Sequence, residues 1–280
     1  MSNSTQELAK IIEKFYDTRT VKQKNAEAVF QKFITLLDAG KIRAAEPANG
    51  TWIVHEWVKK GILLGFRLGM LKRVSLFNNF PFYDKHTYPL KKFTASDSVR
   101  IVPGGSAIRK GAYVAPGVVV MPPAYINVGA YVGKDTMIDS HTLIGSCAQV
   151  GERVHISAAA QIGGVLEPVG ALPVIIEDNV LIGGNSGIYE GTIVRRGAVI
   201  GAGVVITAST PVYDCIKEAV ITKAPDGNLI IPEYAVVVPG ARALSSPFAR
   251  AYGLSLSTPL IVKYRNEKTN ARTALEELLR

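Results

Sequence analysis

The chain has 280 residues, 48% of them apolar, with 32 Lys and Arg against 23 Asp and Glu and a formal net charge of +9. That length can bury a sizeable core and accommodates two or more substructures, and the most apolar stretch, Gly61 to Met70, is too short and is broken by Arg67, which excludes a membrane span there. The charge favours an anionic partner, but the basic residues are scattered without an aromatic–basic platform, so a small anion is expected and nucleic acid is not.

The polar N-terminus lacks a basic region followed by an apolar one, and Cys147 and Cys215 show no metal or redox spacing; a cytoplasmic protein is expected. Residues 5–18 and 24–39 read as amphipathic helices, with Leu8, Ile11, Ile12 and Phe15 on one stripe and Val29, Phe30, Phe33, Ile34 and Leu37 on the other. Gly40 stops the second. An extended piece near Ile42 to Ala45, a turn at Pro47 to Gly50 and a third helix from Ile53 to Leu68 follow, with Val54, Trp57, Val58 and Leu64 available for burial. The aromatic, proline-bearing stretch from Gly69 to Lys92 reads as an ordered linker, so 1–92 form a helical N-terminal domain with its linker.

From Val102 an aliphatic residue returns every sixth position through Ile108, Val114 and onward to Ile162, and again from Ile176 to Val212. Four residues after each comes a small or β-branched residue (Ala112, Val118, Ala124, Thr136, Ser186), which on an extended chain shares a face with the next aliphatic. Gly, Asp and Asn fill the positions between, as tight turns require. Period six is no multiple of 3.6, so a helix is excluded; short strand, turn, short strand at fixed spacing is a hexapeptide-repeat β-helix over 93–212. Three hexads close one triangular coil, giving about six coils spaced roughly 4.8 Å apart. Ile162 and Ile176 stand fourteen residues apart where six would continue the pattern, so segment 163–175 is expected to project from one corner as a loop beside the functional surface.

Beyond Val212 the pattern fails. Val220 to Thr222 and Leu229 to Ile231 flank Asp226-Gly227-Asn228, a hairpin signal; Ala235 to Val238 and Leu260 to Tyr264 read as strands and Asn270 to Leu279 as a helix, so 213–280 form a small C-terminal β/α cap. A solenoid needs covered ends, and the helical domain and this tail are the natural covers.

Two corner carboxylates stand out, Asp139 directly after Ile138 and Glu190 two after Ile188. Their phase puts them on different corners, which one prism cannot easily bring together. Side-by-side prisms around a three-fold axis can, so an intersubunit site in a homotrimer is expected. His141 and His155 lie in the repeat, where a histidine can act as base and three can hold zinc. His55 and His86 lie outside it, leaving too few for a three-histidine solenoid site, and no metal is expected. Lys217, Lys223 and Arg242 are candidates for the phosphates of an anionic ligand such as a coenzyme, whose other contacts are unassigned.

The strings Met121-Pro122-Pro123-Ala124-Tyr125-Ile126-Asn127-Val128-Gly129, Gly145-Ser146-Cys147-Ala148-Gln149-Val150-Gly151 and Gly163-Gly164-Val165-Leu166-Glu167-Pro168 resemble those of the tetrahydrodipicolinate N-succinyltransferases of bacterial lysine and diaminopimelate biosynthesis. The resemblance implies a homotrimer of left-handed parallel β-helices that moves succinyl from succinyl-CoA, as cosubstrate, to the amino group of the opened, hydrated substrate. It also implies substrate binding by Arg100 and Asp139 and catalysis by Asp139 and Glu190, through general-base action or a covalent acyl-glutamate. The chain departs from the family at Asp139-Ser140-His141, where a tryptophan is usual, at Ser157-Ala158-Ala159 for Ser-Gly-Gly, and near Asn185, where an arginine is usual. These departures bear on fine substrate contacts and acyl-chain preference. The alternatives are an acetyl-CoA-dependent N-acetyltransferase and a noncatalytic solenoid scaffold.

Overall fold

The computed structural model describes residues 3–18, 23–48, 50–77, 80–225 and 227–265; the helix expected over Asn270 to Leu279 lies outside them. Its centre is a three-sided, left-handed parallel β-helix whose rungs are mostly two residues long, each ending on one of the periodic aliphatics. The first face carries Ile101, Val120, Ile138, Ile156, Ile182 and Ile200, the second Ile108, Ile126, Ile144, Ile162, Ile188 and Ile206, and the third Val114, Val132, Val150, Ile176 and Val194. Pairing is parallel and in register, Ile138 opposite Ile156 and Ile144 opposite Ile162. Apart from Ile101, which is exposed on the first rung, these aliphatics fill the interior with Ala112, Val118, Ala130, Ala148, Ala160 and Ala198. The inward hydroxyls of Thr136 and Ser186 donate to the carbonyls of Gly151 (2.9 Å) and Gly201 (2.8 Å) on the next coil, which removes the cost of burying them.

Most turns follow one rule. The third residue after the periodic aliphatic takes the left-handed conformation, from Gly111 (φ 91°) and Gly129 (80°) through Asp135, His141, Cys147, Arg153 and Ala159 to Asn179, Asn185 and Gly203, whereas Pro123, Val165 and Ser209 do not. Glycine takes this conformation freely, whereas an L-residue pays about 1–2 kcal/mol. Ala159 (φ 59°) has no polar side chain to offset that cost. Ala159→Gly is therefore expected to raise stability by up to about 1 kcal/mol, the remainder being cancelled by greater freedom in the unfolded chain. Urea unfolding checks this, and a lower midpoint would contradict it.

The pattern breaks at both margins. Ile101, not Val102, stands opposite Val120, because the first turn, Val102-Pro103-Gly104-Gly105-Ser106, is one residue longer than the usual four. At the other end Val212 is buried but is not a sixth rung of the third face. It lies in Val212–Asp214, which pairs with Ala219–Ile221 and with Ser255–Tyr264. Leu229–Ile231 takes the vacant rung beside Thr192–Val194. The hairpin expected between residues 220–222 and 229–231 is thus absent, since Ala219–Ile221 turns back on the preceding Val212–Asp214 and Leu229–Ile231 pairs with the distant Thr192–Val194. Ala235–Ala243 continues the first face beyond Ile200 and folds back antiparallel on Ser255–Tyr264, with a short helix, Pro247–Ala251, near the tip. These strands close the C-terminal end with Ile231, Val237 and Ile261 in the core.

At the N-terminus, helices α1 (Asn3–Asp17) and α2 (Gln23–Asp38) form as expected. The third helix starts later than expected, as α3 (Glu56–Leu68), because Ile53 and Val54 belong to a strand, Thr51–Val54, paired with Ala45–Ala48. Residues 51–54 alternate between exposed and half-buried, a period of two that a helix reading overlooks. Leu71–Phe77 and Phe80–Lys85 form a second hairpin in the stretch expected to be a linker. Nor does the helical unit cover the open end of the solenoid. It lies along the side, where Ile34 meets Gly111, Ile62 meets Gly129, and Val128 and Cys147 join its core. Phe93 and Val99 pack against the first coils instead.

Candidate active site

Each periodic aliphatic sends the chain round a corner, and those corners hold the polar residues. Asp139 sits where the first face meets the second, on the third coil; Glu190 sits where the second meets the third, on the fifth. The sequence-derived phase is therefore reproduced, and the two carboxylates flank opposite edges of the second face. The half-buried Asp139 accepts a hydrogen bond from the Ser140 amide at 2.7 Å, which fixes its carboxylate. Glu190 is exposed, with no side-chain partner among the described residues. Arg100 is exposed at the head of the outward column of the first face, followed by Val119, Met137 and His155. One chain thus puts Arg100 and Asp139 along one face and leaves Glu190 across the next.

The inserted segment does not simply project. Its start packs on the backbone of Gly145 and Ser146, where the Val165 amide donates to the Ser146 carbonyl at 3.0 Å. Leu166 packs against the helical core, and Leu172 joins Ala45, Ile175 and Ile193 on the third face. The segment forms one wall of a cleft of about 390 Å³, with Gly164, Glu167, Pro168 and Ala171 on its side and Glu190 and Lys223 opposite. The loop and Glu190 therefore meet in one cavity.

Of the three basic candidates, only Lys223 lines this cleft. The Lys217 ammonium lies 4.3 Å from the Tyr264 ring centroid, and Arg242 stands on the C-terminal hairpin arm. His141 is exposed in a left-handed turn one corner residue beyond Ser140, and His155 is exposed on the first face. Among the described residues no three His, Cys, Asp or Glu side chains converge as metal ligands. Cys147 is fully buried and its thiol is pushed up to about 12 by desolvation, so it stays neutral; Cys215 is exposed.

Sequence reading missed the buried Lys59, whose ammonium donates to the carbonyl of Ala171 in the inserted segment. The available signal was a lysine beside the apolar stripe of α3, which alone reads as solvated.

Fold and corners together define a hexapeptide-repeat β-helix protein with an attached helical unit. Residues 7–68 match the family model described as tetrahydrodipicolinate N-succinyltransferase N-terminal, and 173–208 match the hexapeptide repeat of succinyl-transferase. The sequence family it resembles is accordingly that of the tetrahydrodipicolinate N-succinyltransferases. A 2,3,4,5-tetrahydropyridine-2,6-dicarboxylate N-succinyltransferase of Ehrlichia ruminantium is 42% identical over 97 residues, 31% of this chain and 34% of that protein. The enzyme of the same name from Aeromonas salmonicida is 41% identical over 122 residues, 39% and 42% of the two chains. The alignments thus span about a third to two fifths of these relatives' length. Among solved structures, a Campylobacter jejuni chain assigned as a 2,3,4,5-tetrahydropyridine-2-carboxylate N-succinyltransferase is 16% identical, with a TM-score of 0.42, over 84% of this chain and 62% of its own.

Proposed function

We propose that the protein is an acyl-CoA-dependent N-acyltransferase that moves succinyl from succinyl-CoA to the amino group of hydrated tetrahydrodipicolinate, in lysine and diaminopimelate biosynthesis. The observation that carries this reading is the co-occurrence of both matched modules on one chain, with Glu190 inside the second and opening into the cleft. In the reaction the substrate amine attacks the thioester carbonyl, the C–N bond forms, the C–S bond breaks, and coenzyme A leaves as the thiol after taking up a proton. The amine must lose a proton on the way, and a carboxylate at Glu190 can accept it. Asp139, held by Ser140, can orient the amine, and Arg100 offers a planar fork for a substrate carboxylate.

Because one chain separates Asp139 from Glu190 across the second face, the reading includes a homotrimer in which neighbouring prisms complete each site. The second face suits that packing, since its outward column of Ala107, Tyr125, Leu143, Gln161, Gly187 and Val205 carries no charge and the helical unit occupies the third face instead. Incubation with tetrahydrodipicolinate and either succinyl-CoA or acetyl-CoA, followed by free thiol, tests the reading, with the exposed Cys215 subtracted as background. Succinyl-dependent release is expected. Release with acetyl-CoA alone would replace succinyl by acetyl, and no release with either donor would leave a scaffold.

A further inference from the structure

Lys59 is fully buried on α3, yet it is a residue type that normally stays in water. Its neighbour Lys60 takes the ordinary course and reaches 3.7 Å from Glu13 on α1. Lys59 turns the other way and donates from Nζ to the carbonyl of Ala171. One turn earlier on the helix, Glu56 approaches the same segment, its Oε1 lying 3.3 Å from where a side chain on Gly170 would begin. Burial pushes the Lys59 ammonium below the usual lysine range, partly opposed by Glu56, so the chain accepts a desolvated donor to satisfy this carbonyl.

The rest of α3 is fixed rigidly. Gly61 and Gly65 lie against Phe33, Phe30 and Tyr88, and Ile62 lies against Gly129 of the solenoid. A donor on such a helix can hold a loop that has little regular hydrogen bonding of its own. Between Val165, bonded to Ser146, and the strand at Ile175, the Ala171 amide donates to the Pro168 carbonyl (3.0 Å) within the segment. Ala171 itself lines the cleft that Glu190 faces.

We propose that Lys59 is a positioning residue that clamps the inserted segment and so sets the wall of the cleft opposite Glu190. This rests on the acyltransferase reading for its kinetic consequence, though not for its structural one. The helical unit thereby acts on the site through this hydrogen bond, beside the apolar contacts of Leu166 and Leu172.

The test is Lys59→Met, which keeps the length and packing of the stem and removes the donor, compared by amide hydrogen exchange and steady-state kinetics. Exchange at residues 165–173 is expected to accelerate about tenfold, with rungs at Val150 and Ile200 unchanged, because losing the clamp raises only local opening. The acceptor KM is expected to rise about tenfold with kcat changed less, since Glu190 is untouched. Should Lys59→Met fail to fold, Lys59→Leu, which also lacks a donor, is read in the same way. Unchanged loop exchange, or acceleration spread evenly over the chain, overturns the clamp. Loop-selective acceleration with unaltered kinetic constants overturns the positioning role. Absence of turnover in the parent protein overturns the acyltransferase reading, while the exchange data still decide the clamp.

Discussion

Glu190→Gln is expected to slow acyl transfer by about 10²–10⁴-fold, the usual contribution of a placed general base. The substitution keeps shape and removes only the ability to take a proton. Because Glu190 is exposed without a side-chain partner among the described residues, stability is expected to change by less than about 0.5 kcal/mol. Glu167→Gln supplies the control, since Glu167 lines the same cleft from the loop side. A comparable loss there would mean that the cleft needs negative charge in general and not a base at Glu190. Mixing Glu190→Gln with Asp139→Asn subunits adds the geometric test. Partial recovery is expected where neighbouring chains share a site, and its absence in demonstrably mixed trimers would count against a site shared between subunits.

Gly145→Ala is expected to cost about 1–3 kcal/mol, the range for forcing extra volume into a packed place. A Cβ there would collide with the backbone of Gly163 and Gly164, where the inserted segment leaves the second face. Backbone atoms, unlike the end of a flexible side chain, cannot step aside, so the segment must shift. A displacement near 1 Å can lower turnover by about 10²-fold, so activity is expected to fall further than stability accounts for. Thermal unfolding and the thiol assay on one preparation check both. Ser146→Ala, next door, leaves the backbone bond to Val165 in place and is expected to be nearly neutral. Wild-type turnover in a folded Gly145→Ala protein would show that the loop's seat on this rung does not shape the cleft.

The six-residue spacing made the solenoid readable because every rung meets an identical neighbour, so local pattern and tertiary contact coincide. It failed where that identity ends. The long turn before Ile108 moved the first rung by one residue, and Val212 kept the spacing while its partners came from Ser255–Tyr264. The hairpins at 45–54 and 71–85 were hidden because their strands are short and their burial depends on surfaces made by distant residues. For the candidate site, the phase of Ile138 and Ile188 within the repeat is enough to place Asp139 and Glu190 on their corners. The carbonyl that recruits Lys59 belongs to a segment more than a hundred residues away, and no periodicity reports such a pairing.

The sideways position of the helical unit also bears on how the molecule comes apart. A stack whose coils touch only their neighbours can fray from either end. Here α2 and α3 rest on the turns at Gly111 and Gly129, Cys147 joins their core, and Lys59 reaches the segment of the fourth coil. The hairpin of Ala45–Ala48 and Thr51–Val54 carries the brace further, Ala45, Trp52 and Val54 packing with Ile175, Ile193 and Ile230 while the Trp52 indole donates to Glu177. The third face is thus riveted from the first coil to the last, so opening the coil that carries Glu190 also strips this hairpin from its seat, and the two ends of the stack come apart together.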